Sequence, residues 1–149
     1  MDVPLRISGL SIMTELARKG RRIRVIVADD HPIIRKMVRS VLQEQPHIEV
    51  CAEADNGAQA LEQAKKIKPD VTILNIAMPV LNGFDAAREI KRQLPEVAIV
   101  ILSTHADQQF VKEAKKIGIG VYVSKSKVGD ALVKAVEAAA NGKDFVLLE

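Results

Sequence analysis

The chain has 149 residues, a mass of 16.3 kDa and a single cysteine. This length suits one domain that buries about two-thirds of its unfolded surface, and the lone Cys51 excludes an internal disulfide framework. No apolar run approaches the roughly 20 residues that a membrane-spanning helix needs, so we expect a cytoplasmic protein without membrane contact.

The positive charge of the chain is concentrated at its N-terminus. Residues 1–24 contain six Lys or Arg and two acidic residues, a net charge of +4, and the whole chain carries +3, so the remaining 125 residues sum to −1. A nearly neutral body argues against direct nucleic-acid binding by this domain. We interpret residues 1–22 as an N-terminal extension, mobile or with one short helix. Its basic cluster at 18–22 is typical of a solvated linker, with a phosphate-contacting arm as the alternative.

The rest of the chain alternates apolar runs with amphipathic segments. The predicted strands lie near residues 23–28, 48–52, 71–74, 97–102 and 119–123. A helical pattern follows each of them. Such alternation favours a parallel sheet with right-handed crossover helices. We therefore predict an α/β domain of five strands and five helices over residues 23–142, followed by a tail or linker stub over residues 143–149.

Polar side chains directly follow four of the predicted strands. These residues are Asp29, Asp30, Asn75, Ser103 and Lys125. In a parallel sheet all of them lie at the carboxyl edge, where open α/β sheets bind ligands. Paired carboxylates suit Mg²⁺, and a lysine with a hydroxyl group suits phosphoryl oxygens. The sequence therefore predicts a phosphoryl site. His31 belongs to no Cys/His cluster and is interpreted as a helix-start residue.

Five motifs in order resemble those of the receiver domain of two-component response regulators. They are Val-Ala-Asp-Asp-His-Pro at 27–32, Asn-Ile-Ala-Met-Pro at 75–79, Asn-Gly at 82–83, Leu-Ser-Thr-His at 102–105 and Val-Tyr-Val-Ser-Lys at 121–125. Their wording is most similar to the LuxR/NarL-like receivers that precede a helix-turn-helix domain. The resemblance implies a flavodoxin-like fold with the strand order 2-1-3-4-5.

The resemblance also implies the roles of the residues at the sheet edge. Mg²⁺ is expected between Asp29, Asp30 and the backbone carbonyl of Ala77. The phosphoryl-contacting and switch residues that it implies are Ser103, Lys125 and Tyr122, with Tyr122 as the aromatic ring that reorients.

The sequence departs from the family at Asn75. In the family an aspartate stands at this position, and its carboxylate attacks the phosphoryl group. An amide has no anionic oxygen, so Asn75 is expected to block phosphorylation and to weaken Mg²⁺ binding. Asn75 is either an engineered substitution in an otherwise ordinary receiver or the native residue of an atypical receiver that acts through protein contacts; comparison with the gene distinguishes the two.

The resemblance implies a signalling domain, not an enzyme. A nucleotide-cofactor enzyme is disfavoured because Asp-Asp-His-Pro stands where a glycine-rich phosphate turn would follow the first strand. The expected partners are a histidine kinase or phosphotransfer protein, a C-terminal DNA-binding output domain outside this chain, and a second copy in a homodimer.

Overall fold

A computed structural model describes residues 21–104 and 108–148 of the chain, apart from the side chain of Asp130. The strands are β1 Ile23–Ala28, β2 Ile48–Ala54, β3 Val71–Asn75, β4 Ala98–Ser103, β5 Val121–Ser124 and β6 Phe145–Leu147. The helices are α1 Pro32–Gln43, α2 Gly57–Ile67, α3 Gly83–Gln93, α4 Gln108–Lys116 and α5 Val128–Ala140. A short 3-10 turn, Lys125–Lys127, lies between β5 and α5. The predicted extension over residues 1–22 lies outside the described residues except for its last two.

All strands of the described chain run parallel in one sheet with the order β2-β1-β3-β4-β5-β6. The five predicted strands and their order 2-1-3-4-5 are confirmed. Strands β1, β3 and β4 are almost wholly buried because helices cover both faces of the sheet. One apolar cluster lies under α1 and α5, and a second lies under α2, α3 and α4.

The predicted total of five strands is wrong, because a sixth strand, β6, pairs with the edge of β5. After α5 the chain turns at Gly142, whose φ of +70° suits a residue without a side chain. The Lys143 amide donates to the Ala138 carbonyl at 2.9 Å and closes the helix end. Residues Phe145 and Leu147 then pack against the α5 side of the core. The stretch that the sequence analysis treated as a tail therefore contains a strand.

The caps of two helices position the loops around the carboxyl edge. Asn56 accepts a hydrogen bond from the Gln59 amide at 2.8 Å and caps α2. Asn82, the first residue of the Asn-Gly motif, accepts from the Asp85 amide at 2.9 Å and caps α3. Both helices therefore start at a fixed point beside the sheet edge.

Gly83 lets α3 start directly against β3. A Cβ atom at this position would clash with the backbone carbonyl of Asn75. The Gly83 amide also donates to the Ile76 carbonyl at 2.8 Å. The absence of a side chain thus fixes how closely the helix approaches the strand end.

Replacing Gly83 with alanine is expected to destabilise the domain. The new methyl group has to displace backbone, and such overpacking costs about 1–3 kcal/mol of unfolding free energy. Gly129→Ala is the matched control, because nothing lies within 4 Å of a Cβ built there. Urea unfolding followed by circular dichroism measures both variants. Equal stability of the two variants would contradict this account of the α3 start.

Candidate functional site

The carboxyl ends of four strands bring polar side chains together at one edge of the sheet. Asp29 directly follows β1, Asn75 ends β3, Ser103 ends β4, and Lys125 directly follows β5. Asp29, Asn75 and Ser103 are buried. The side chain of Lys125 is buried as well, with 7% of its surface exposed. These residues are far apart in the sequence, and the parallel topology alone places them on one edge.

A buried ion pair joins the ends of β1 and β5. The Nζ atom of Lys125 lies 2.7 Å from Oδ2 of Asp29, and the Asp29 side chain is 1% exposed. Among the described residues Oδ2 has no hydrogen bond of regular geometry, so the lysine satisfies it by charge at close contact. A carboxylate buried to this degree requires such a partner. The pair therefore holds the two strand ends together.

His31 contacts both carboxylates of the site. Its backbone amide donates to Oδ1 of Asp29 at 2.9 Å, and its Nδ1 lies 2.9 Å from the same oxygen. The same Nδ1 lies 3.3 Å from Oδ1 of Asp30. The ligand atoms of Asp29, Asp30 and His31 all lie within 4.8 Å of one another, close enough to hold a metal ion.

The interpretation of His31 as only a helix-start residue is therefore incomplete. It does precede α1, but its side chain makes no capping hydrogen bond and points to the acidic pair instead. The sequence carried a signal for this, since residues next to a strand-end Asp-Asp pair share the same edge. His105, another histidine of the motifs, lies outside the described residues.

The side-chain amide of Asn75 bridges two oxygen atoms. Its Nδ2 donates to the backbone carbonyl of Ala77 at 2.9 Å and to Oδ1 of Asp30 at 3.3 Å. The Asp30 carboxylate oxygen and the Ala77 carbonyl oxygen, which both carry negative charge density, therefore share one neutral donor. Asn75 itself is 4% exposed, whereas Asp30 is partly exposed and Ala77 is exposed, so the bridge lies at the rim of the site with its donor buried.

Ser103 and Tyr122 lie on the neighbouring strands at the same side of the molecule. Ser103 pairs in register with Ser124, the residue before Lys125, and Tyr122 pairs with Ile101. Both Ser103 and Tyr122 are 1% exposed. Ser103 thus ends β4 at the carboxyl edge, and Tyr122 lies two residues before the end of β5, with its side chain in the apolar cluster under α2, α3 and α4.

Arg35 supports the site from α1 and had no signal in the sequence. Its guanidinium donates to the backbone carbonyl of Asp29 at 2.6 Å and to Glu53 on β2 at 3.1 Å. Arg39 donates to the other oxygen of Glu53 at 2.7 Å. These contacts fix the loop after β1 from outside the acidic pair. The Arg35 and Arg39 contacts could not be inferred from the sequence, because helix periodicity does not show which residues a long side chain at the edge of the helix reaches.

Within residues 21–104 and 108–148, every helix is too short or too polar to cross a lipid bilayer.

Comparison with known families gives one clear match. The family model described as "Response regulator receiver domain" matches residues 25–137. Among curated proteins, the chain is similar to the transcriptional regulatory protein DegU of Brevibacillus brevis, with 34% identity over 125 residues that cover 84% of this chain and 53% of DegU. It is also similar to the transcriptional regulatory protein LnrK of Bacillus subtilis, with 37% identity over 120 residues that cover 80% of this chain and 54% of LnrK. The chain spans about half the length of these relatives.

Solved structures agree with the sequence matches. A LuxR-family two-component response regulator from Aurantimonas sp. superposes with a TM-score of 0.80 at 29% identity, over 85% of this chain and 90% of that one. The non-phosphorylated receiver domain of RcsB from Escherichia coli gives a TM-score of 0.79 at 26% identity, over 85% and 99% of the two chains. The receiver domain of the response regulator NarL from Mycobacterium tuberculosis gives 0.71 at 29% identity, over 78% and 98%.

The Asp29–Lys125 ion pair predicts the effect of Lys125→Met. Removal of the lysine leaves a buried carboxylate without its counter-charge, which is expected to cost about 3–5 kcal/mol of unfolding free energy. Lys127→Met is the control, because it removes a nearby lysine that is not in the ion pair. In the Lys125→Met background, Asp29→Asn removes the stranded charge and is expected to restore part of the stability. Denaturant unfolding at neutral pH measures these variants, and a Lys125→Met chain as stable as the Lys127→Met chain would contradict the role of the pair.

Proposed function

The chain belongs to the response regulator receiver domain family, and on that premise we propose that it is a signalling receiver that takes no phosphoryl group at Asn75. The family is that of two-component systems, and the similar curated proteins are transcriptional regulators. We place Asn75 at the phospho-acceptor position because it ends β3 and lies between the acidic pair and the Lys125 side of the edge. The domain itself is proposed to have no enzymatic activity.

We assign the cation site to Asp29, Asp30 and the backbone carbonyl of Ala77. The support is the donor set: two carboxylates and a carbonyl oxygen are ligands of the kind that Mg²⁺ prefers. Asn75 bonds to Asp30 and to the Ala77 carbonyl together, which places those two oxygens on either side of one amide. When bound, Mg²⁺ supplies positive charge to phosphoryl oxygens.

We assign phosphoryl contact to Ser103 and Lys125 and the switch role to Tyr122. Lys125 is a fixed cation at the edge, and Ser103 ends the strand between it and Asn75. Tyr122 lies on β5, beside the strand that carries Ser103. Because the two strands are adjacent, movement of the Ser103 hydroxyl toward a phosphoryl group would change the space beside the Tyr122 ring.

Asn75 carries the argument against phosphotransfer. In phosphotransfer to an acceptor carboxylate, one carboxylate oxygen forms the bond to phosphorus while the bond to the donor oxygen breaks. A neutral amide has no oxygen with that nucleophilicity. Transfer from a histidine kinase or a phosphotransfer protein is therefore expected to stop at this residue.

The single observation behind the proposal is the position of the Asn75 amide nitrogen. It donates to the two oxygens, on Asp30 and Ala77, that we assign to the cation. A neutral donor thus does part of the work that a cation does in holding these oxygens together. Mg²⁺ has to displace the amide and also finds one negative charge fewer, so its affinity is expected to be low.

The function of a longer protein follows only as a proposal. The chain covers about half of DegU and LnrK, and one solved structure similar to this chain is an RcsB–DNA complex. We propose a C-terminal DNA-binding output domain as the partner in the same protein, with DNA contacts made there and not by residues 23–142. Homodimerisation and a cytoplasmic location are proposed with it.

A second candidate is a native, phosphorylation-independent receiver that acts as a protein-protein interaction module. The observation that favours it is that both carboxylates of the site already have protein partners. Lys125 pairs with Asp29, and Asn75 and His31 both contact Asp30. A site whose polar groups already have partners needs no phosphoryl group or cation to stay ordered.

Acetyl phosphate with Mg²⁺ tests the proposal. The Asn75 chain is expected to remain unlabelled by intact-mass spectrometry, whereas Asn75→Asp gains the mass of one phosphoryl group. Asn82→Asp serves as the matched control, since Asn82 is an exposed helix cap and a carboxylate there has no acidic pair beside it. A phosphoryl adduct on the Asn75 chain that maps to residue 75 would overturn the proposal.

Calorimetric titration with Mg²⁺ tests the proposal that Asn75 lowers the affinity of the site for the cation. Asn75→Asp adds a negative charge within a few ångströms of the cation, so it is expected to bind Mg²⁺ about tenfold or more tightly than the Asn75 chain. Adding Asp30→Asn to this variant is expected to remove most of the gain. Equal affinity of the Asn75 and Asn75→Asp chains would show that the amide has no effect on the cation.

A further inference from the structure

The C-terminal strand β6 covers the edge of β5 that the predicted five-stranded sheet would leave open. It is three residues long, and the Phe145 amide donates to the Gly120 carbonyl at 2.9 Å. Its register with β5 pairs Phe145 with Val121 and Val146 with Tyr122. With β6 in place, β5 is an interior strand.

The two faces of this segment reach both sides of the core. Phe145 and Leu147 pack against the cluster beneath α1 and α5. Leu148 packs against the opposite cluster, which contains Tyr122. Residues paired in register on adjacent strands point to the same face of a sheet, so Val146 is also a neighbour of Tyr122. The segment therefore lies beside Tyr122 on the side where the sheet would otherwise end.

The path from α5 into β6 is sterically defined at Gly120. The side chain of Asp144 occupies the space where a Cβ atom on Gly120 would lie. The turn at Gly142 and the closed end of α5 set the direction in which the chain arrives. β6 is thus a specific addition to the sheet, joined to the domain by one turn.

The strand is nevertheless held more weakly than the rest of the sheet. Phe145, Leu147 and Leu148 are only partly buried, and Val146 is 39% exposed. Short segments at the end of a fold with few buried contacts open locally at low free-energy cost. Tyr122, in contrast, is 1% exposed.

We propose that β6 is a detachable strap that keeps Tyr122 buried, and that its release from the edge of β5 is the conformational change that frees this ring. The strap is inferred from the pairing of β6 with the edge of β5 and not from chemistry at the acidic site. Only its regulatory role rests on the proposed function, because a receiver that takes no phosphoryl group needs another trigger to move Tyr122.

Tyrosine fluorescence tests the strap directly, because the chain contains one tyrosine and no tryptophan. The two test proteins are a chain truncated after Lys143 and a full-length chain with Phe145→Ser and Leu147→Ser. Both are expected to show a several-fold rise in the acrylamide quenching constant of Tyr122, with helix content unchanged by circular dichroism. Ile33→Ser is the control, because it removes an apolar side chain that is 81% exposed and lies on α1.

Hydrogen exchange on the unsubstituted Asn75 chain gives an independent readout where a variant fails to fold. The Phe145 amide is expected to exchange much faster than the amides of β4, through local opening of β6. Unchanged quenching in a folded truncated chain, or equal exchange of Phe145 and β4 in the unsubstituted chain, would overturn the strap. Both measurements omit Mg²⁺ and phosphodonor, so phosphoryl labelling of Asn75 would overturn the proposed function and leave the strap standing.

Discussion

The buried carboxylate of Asp29 is the constraint on which the edge of this domain depends. A charge removed from water requires a counter-charge and hydrogen bonds, and Asp29 receives them from two different parts of the chain. Lys125 arrives from the end of β5, and the His31 amide arrives from the start of α1. In the sheet β3 and β4 lie between β1 and β5, so the ion pair closes over their ends. Asn75, at the end of β3, and Ser103, at the end of β4, lie on the part of the edge that the pair spans.

Asn75 gives the site a character that the surrounding residues alone would not. Its neighbours form an acidic pair with a facing lysine, an arrangement suited to phosphoryl oxygens and a cation. The amide supplies a neutral donor at the centre and compensates two oxygens without adding charge. The proposed outcome is a receiver with an ordered site that does not need the ligand for which its neighbours are suited. In this proposal regulation comes from elsewhere in the fold, and we assign it to the strand on the β5 edge.

The sequence predicted what depends on strong local patterns. Near-continuous runs such as Val97 to Leu102 identify buried parallel strands, and the crossover rule then brings Asp29, Asn75 and Lys125 to one edge without knowledge of any contact. Strand β6 escaped prediction because three residues after a glycine show no periodicity, and its stability comes from pairing with β5. The contacts of Arg35 escaped prediction for a related reason: they depend on the direction of a long side chain that reaches another element, which sequence spacing does not record. The contacts of His31 could have been predicted, because it directly follows Asp29 and Asp30.

The central claim, that the Asn75 amide takes the place of a cation between Asp30 and the Ala77 carbonyl, is tested most directly by its own side-chain resonance. Asn75 is assigned by comparing the side-chain amide region of ¹H–¹⁵N spectra of the Asn75 chain and Asn75→Ser. The account predicts an Asn75 NH₂ pair shifted from the free-amide position and slow to exchange in Mg²⁺-free buffer. It also predicts that the pair moves little when Mg²⁺ is added at physiological concentration. A pair at the free-amide position, or one that shifts and saturates at low Mg²⁺, would contradict it.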